Sequence, residues 1–126
     1  MNSIGEIDLK CFEYAFPILT SEVVLTEERI EHIKKDHPGA YEKYGQCIPD
    51  FLREPDFILE ANKPNSVVLL KNCLHQGKSI PLKLILRLKS IQDPDKYKNS
   101  VITFFNIDEE DKRRLIKNKK VLYKRE

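Results

Sequence analysis

The sequence has only three cysteines, no C-x-x-C pair and no long apolar run, and each shortage closes off a class of protein. Cys11, Cys47 and Cys73 are odd in number and widely spaced, which argues against a disulfide framework or a zinc knuckle and predicts reduced, partly buried thiols. No stretch approaches the roughly 20 apolar residues that cross a bilayer, and Met1–Asp8 lacks a basic leader followed by an apolar block. The chain therefore reads as soluble, with the cytoplasm as its default compartment and no membrane partner. Its four glycines build no phosphate-cradling loop and no G-x-S-x-G elbow, which removes the common nucleotide-binding and hydrolase classes. Internal repeats, low-complexity tracts and long linkers are missing too, so 1–126 reads as a single domain.

What is present is globular in composition, with 40% hydrophobic and 33% charged residues. The net charge of +2 conceals an uneven distribution. Residues 1–60 carry 6 basic and 13 acidic side chains, net −7, whereas 61–126 carry 16 and 7, net +9. Such asymmetry points either to nucleic acid or to solvated helix faces.

The most informative stretch is Pro81–Lys89. As a strand it aligns Leu82, Leu84, Leu86 and Leu88 on one face and Lys83, Ile85, Arg87 and Lys89 on the other. The leucines require a hydrophobic layer behind them, and the cations offer a platform for an anion. Around this strand the pattern predicts a meander of Asp56–Ala61, Val67–Leu74, Leu82–Lys89 and Val101–Ile107, with turns at 63–65 and 76–78. Upstream, Glu6–Cys11 and Ser21–Leu25 read as short strands. Thr26 followed by Glu27 and Glu28 opens a helix over 27–36 that stops before Pro38, and Pro49 suits the first turn of a short helix near 49–53. Asp108 caps a lightly packed C-terminal helix anchored by Leu115 and Ile116, and the basic tail from Lys112 to Arg125 reads as its solvated face. The fold class expected is α+β.

Metal-free cleavage of an RNA phosphodiester needs a base for the 2′-OH, an acid for the leaving oxygen, and cations or hydroxyls for the phosphorane charge. His32 or His37 can supply the imidazole, Arg87 the bidentate fork, Thr103 a hydroxyl in an apolar strand, and Lys71 a cation at a strand end. Plainer roles exist for each: a histidine at a helix end pairs with the dipole, an arginine on a half-exposed strand is solvated, and a threonine is a good strand former. Tyr123 either stacks on a base or packs on the sheet edge. His32 and Asp36 sit at i, i+4, but His37, His75 and Cys73 complete no three-ligand set by spacing, so no metal site is expected.

In order, Thr26–Pro38 with His32 and His37, Glu54-Pro55-Asp56-Phe57-Ile58, a strand ending in Lys71, the leucine strand with Arg87, and Asn99–Phe105 form a pattern over roughly 21–107. This pattern resembles the phage-associated nucleases of the barnase, EndoU, colicin and RelE-like group. The resemblance implies N-terminal helices packed on a roughly four-stranded antiparallel sheet, followed here by the C-terminal helix. It also implies a metal-independent endoribonuclease without a cofactor, acting as a phage or mobile-element effector toxin with RNA as substrate and an inhibitor or antitoxin protein as partner. Carried over, the catalytic set is His32 with His37 as the second candidate, Arg87, and Thr103 with Ser100. From the residues themselves, Lys71 at its strand end, Lys83 and Lys89 on the basic strand and Tyr123 join Ser100 as candidates to bind substrate. The alternative is a non-catalytic module that uses the same basic face to bind RNA or an acidic partner.

Overall fold

The computed structural model describes residues 2–12 and 17–126, and its core is the two-faced strand anticipated above. Strand β5 (Lys78–Arg87) pairs antiparallel on one side with β4 (Ser66–His75) and on the other with β6 (Asn99–Asn106). β3 (Phe57–Glu60) completes the four expected antiparallel strands by pairing with β4. Leu82, Leu84, Leu86 and Leu88 are all at most 2% exposed, so the period of two does set one buried face.

The sheet is wider than expected, with seven strands among the described residues in the order β1-β2-β6-β5-β4-β3-β7. β1 (Asn2–Glu6) and β2 (Glu22–Leu25) extend it at one edge, where β2 runs parallel to β6 through Val23 opposite Asn99 and Val24 opposite Ser100. At the other edge β7 (Val121–Lys124) pairs with β3, so the basic tail is not a continuous helix face. Val121, Leu122 and Tyr123 suit a strand, and the free edge of β3 supplies the partner that local sequence does not reveal. Glu6–Cys11 is not a strand either. Asp8 accepts from the amide of Lys10 at 2.9 Å, and this local bond turns the chain into α1 (Leu9–Phe12).

The leucine face is covered by α2 (Glu27–Asp36), α3 (Ala40–Tyr44) and α4 (Ile48–Arg53). Thr26 caps α2 by accepting from the amide of Arg29 at 3.2 Å. Gly39, at φ +86°, makes the left-handed step from Pro38 into the short α3. Ile33, Tyr44, Ile48, Phe51 and Leu52 meet the sheet leucines in one core with Phe12, Val101 and Phe104. A smaller cluster lies on the opposite face, where Leu115 and Ile116 of α5 (Glu109–Asn118) rest on Leu59, Val68 and Leu70. α5 buries no residue fully, in keeping with its two apolar anchors.

The expectation of three reduced thiols does not hold. Cys47, closing a 3₁₀ turn (Gly45–Cys47), is joined to Cys73 of β4 in a disulfide with Cα atoms 6.5 Å apart, while Cys11 is free and buried. Helical layer and sheet bring together two residues 26 apart in sequence, a proximity that spacing alone cannot show. Among the described residues no helix is long and apolar enough to cross a membrane.

Candidate nucleic-acid interface

The face of β5 opposite the leucines carries a groove of about 660 Å³. Its floor includes Ile85 and Ile102, and Arg29, Lys63, Lys83, Arg87 and Lys119 line it with no carboxylate among the lining residues. A second cavity of about 350 Å³ continues it along α5, with Phe105, Ile107, Asp111 and Arg114 on its walls. Lys83 and Lys119 belong to both.

The local sequence explains how these groups converge. Along β5, Lys83, Ile85 and Arg87 point one way because the leucines between them are committed to the core. In β6 the register slips: Ile85 opposes Thr103 but Leu86 opposes Val101, so Ile102 is an extra residue and joins the groove wall. Thr103 thus shares the open face with Ile85, half-buried, one pleat repeat from Phe105, which opposes Lys83. At the other wall Asn65 adopts φ +61° in the turn between β3 and β4 and ties to β5 through Leu88 N–H donating to its carbonyl at 2.7 Å.

Helix α2 frames the remaining side. β2 pairs with only two residues of β6, and beyond Thr26 the chain continues as α2 against the rest of that strand. Arg29, Ile33 and His37 recur at i, i+4, i+8 and therefore share the stripe facing β6. Ile33 enters the core, Arg29 reaches the groove, and the His37 imidazole stacks on Phe105 with centroids 3.9 Å apart and planes inclined by 13°. The eight steps from Arg29 to His37, the residue that closes α2, span about 12 Å and the four steps from Lys83 to Arg87 about 13 Å. Helix and strand accordingly present two matched ends, Arg29 with Arg87 and His37 with Lys83.

The electrostatics of the two ends differ. Arg87 is engaged: its Nη1 and Nη2 donate to the Asp93 carboxylate at 2.9 and 3.0 Å, and the amide of Ser90 donates to the same carboxylate at 2.9 Å. These hydrogen bonds, Arg87 first and Ser90 second, hold the Asp93 carboxyl down to about 2. Lys83 makes no ion pair among the described residues. Its Nζ lies 5.6 Å from the centre of the Phe105 ring, and burial, with the Lys119 charge behind it, holds its pKa below the usual lysine range while Asp111 acts the other way.

The residues singled out from sequence are distributed unevenly over this geometry. His37, Lys83, Arg87 and Thr103 lie on or against the open face. Ser100 opposes Arg87 in the ladder. His32 does not join them: its side chain is 55% exposed, beside Glu28 at 3.8 Å. Lys71 is on the helix-facing side, where its Nζ donates to the Glu54 carbonyl at 2.6 Å. Tyr123 packs on the main core, and its hydroxyl is pushed up to about 12 by the Cys11 thiol and by burial. Lys89 lies past the strand end, donating to the Asp95 carbonyl at 2.6 Å. Arg29, Lys63, Phe105 and Lys119 line the cavities without having been singled out. The i, i+4, i+8 stripe would have found Arg29 and separated His37 from His32, whereas Lys119 is hidden in a run of basic residues. No group of three or more His, Cys, Asp and Glu is placed to hold a metal among the described residues.

A family model described as phage-Barnase-EndoU-ColicinE5/D-RelE like nuclease2 matches residues 5–124. The chain belongs to this nuclease family. Neither a curated protein nor a solved structure matches it. The family match covers α2, all the strands of the open face and α5, so the basic groove lies wholly within the nuclease domain.

Proposed function

We propose that this nuclease is a metal-independent endoribonuclease in which His37 is the acid–base residue. The observation that carries the proposal is the stack of His37 on Phe105, the ring over which Lys83 also sits. An imidazole and an ammonium with no ion pair among the described residues are thereby held at one end of a groove suited to a polyanion. His37 takes the proton from a ribose 2′-OH; the 2′ oxygen attacks phosphorus, the bond to the 5′ oxygen breaks, that oxygen takes a proton from water, and the imidazolium returns its own to solvent. Lys83 opposes the charge gathering on the phosphorane, and the Thr103 hydroxyl, on the same face, is a further donor. Arg29 holds the chain at the far end, where Arg87, its fork taken up by Asp93, keeps that side of the groove built and adds to its positive potential. Metal independence is supported by the lining itself, because five cationic side chains oppose entry of a divalent cation.

The proposal extends to an effector toxin that acts on cytoplasmic RNA and is restrained by an inhibitor protein; the family description contributes the nuclease class and the phage association alone. Purified protein incubated with mixed RNAs in EDTA should yield 2′,3′-cyclic phosphate and 5′-hydroxyl ends. Activity lost in chelator and restored by zinc or manganese would replace this mechanism with metal-assisted hydrolysis. RNA bound with ordinary salt dependence but never cut would leave the groove a binding face only.

A further inference from the structure

Lys83 and Lys119 are the two residues common to both cavities, one from the middle of the sheet and one from the residue that follows α5. Two ammonium groups facing one space oppose each other; burial lowers the pKa of Lys83 most, the Lys119 charge lowers it further, and Asp111 acts the other way. Neither is neutralised by an ion pair among the described residues. Both are nevertheless held in place: Lys119 Nζ donates to Asn62 Oδ1 at 3.0 Å, and Lys83 lies over the Phe105 ring. A pair of anchored, unneutralised cations beside an open cavity is completed by an anion placed between them.

We propose that Lys119 and Lys83 form a phosphate-binding subsite at the junction of the two cavities, separate from the Arg29–Arg87 end of the groove. The proposal rests on the nuclease reading of this face and adds a second backbone contact to it. With Arg87 about 13 Å along the strand from Lys83, the protein grips phosphates of different nucleotides. Its ligand is accordingly a polynucleotide strand spanning the groove.

The test uses a probe that lacks the 2′-OH and so is not cut by the proposed chemistry. Binding of a labelled ten-residue oligothymidylate to the full chain is followed by fluorescence anisotropy over a range of salt. Lys119→Ala should weaken binding and reduce the slope of log affinity against log salt by about 0.7, the contribution of one phosphate contact in a single strand. Lys119→Arg should restore both, and Lys120→Ala, the same charge loss outside the groove, should change neither. Thermal melts of the variants confirm that they are folded. A Lys119→Ala variant that binds with the wild-type affinity and slope overturns the subsite. So does an equal loss in Lys120→Ala, which would mean a diffuse field. RNA cleavage by the wild type with an unaffected Lys119→Ala slope leaves the nuclease reading standing and the subsite wrong; a lost slope without RNA cleavage reverses that outcome.

Discussion

The two faces of β5 alternate residue by residue yet obey different rules. Toward the helices, Leu82, Leu84 and Leu86 pack against groups from α2, α3 and α4, and any side chain there is judged by volume. Toward the groove, Lys83 and Arg87 are judged by charge and by which partner holds each one. The closed face determines where the backbone goes; the open face inherits that placement. On the proposed reading, function is a property of positions the core does not need, and substitutions on the two faces should separate stability from activity.

The widest separation is expected between the two histidines of the Thr26–Pro38 segment. His37→Ala should lower RNA cleavage by about 10²–10⁴-fold, the usual range for an acid–base residue. His32→Ala, beside Glu28 in solvent, should cleave at nearly the wild-type rate. Equal loss in both variants, or none in His37→Ala, would remove His37 from the chemistry. Next in size is a contrast between neighbours in β5. Leu86, with no exposed surface, should cost about 2–5 kcal/mol when cut to alanine, measured by denaturant unfolding. Arg87→Ala should instead leave a folded protein that binds RNA weakly. Finding the larger stability loss in Arg87→Ala would erase the division between the faces.

How much was legible from sequence follows the same division. The period-two leucines, the Thr26 cap and the acidic first turn of α2 are local signals, and they gave the central strand and α2 with its boundaries. β7 and the Cys47–Cys73 contact depend on which surfaces meet after folding, and nothing local announces them. In the site, the cations of β5 were visible because strand alternation exposes them. The surroundings of Lys71 were not legible, because its place on the helix-facing side depends on β4 register and its partner Glu54 lies 17 residues away. The engagement of Arg87 was invisible for a similar reason: Asp93 is near in sequence, but whether the loop returns to the guanidinium is a tertiary matter.

A smaller effect tests the local signals themselves. Thr26→Ala removes the acceptor for the Arg29 amide and should destabilise the protein by about 1 kcal/mol. Because α2 carries Arg29 and is closed by His37, the same change should reduce cleavage modestly while leaving the pH profile of the remaining activity unmoved. A shifted profile would mean that the cap also tunes the imidazole.

The subtlest expected effect concerns the Arg87–Asp93 ion pair, which closes part of the open face. Asp93 titrates at about 2 in the folded protein because Arg87 and the Ser90 amide bond its charged form, against an ordinary value of 3.8. A carboxyl with a depressed folded pKa contributes stability that is complete above the unfolded value and is lost as pH falls through the folded one. Asp93→Asn should therefore be less stable than wild type above about pH 4, and the two should converge as pH drops toward 2. The comparison must be a difference between the two proteins, since other carboxylates titrate in the same interval. Melting curves at stepped pH measure it directly. A gap that stays constant down to pH 2 would show that Asp93 acts through packing and not through its charge, and Arg87 would then have to be counted among the free cations of the groove.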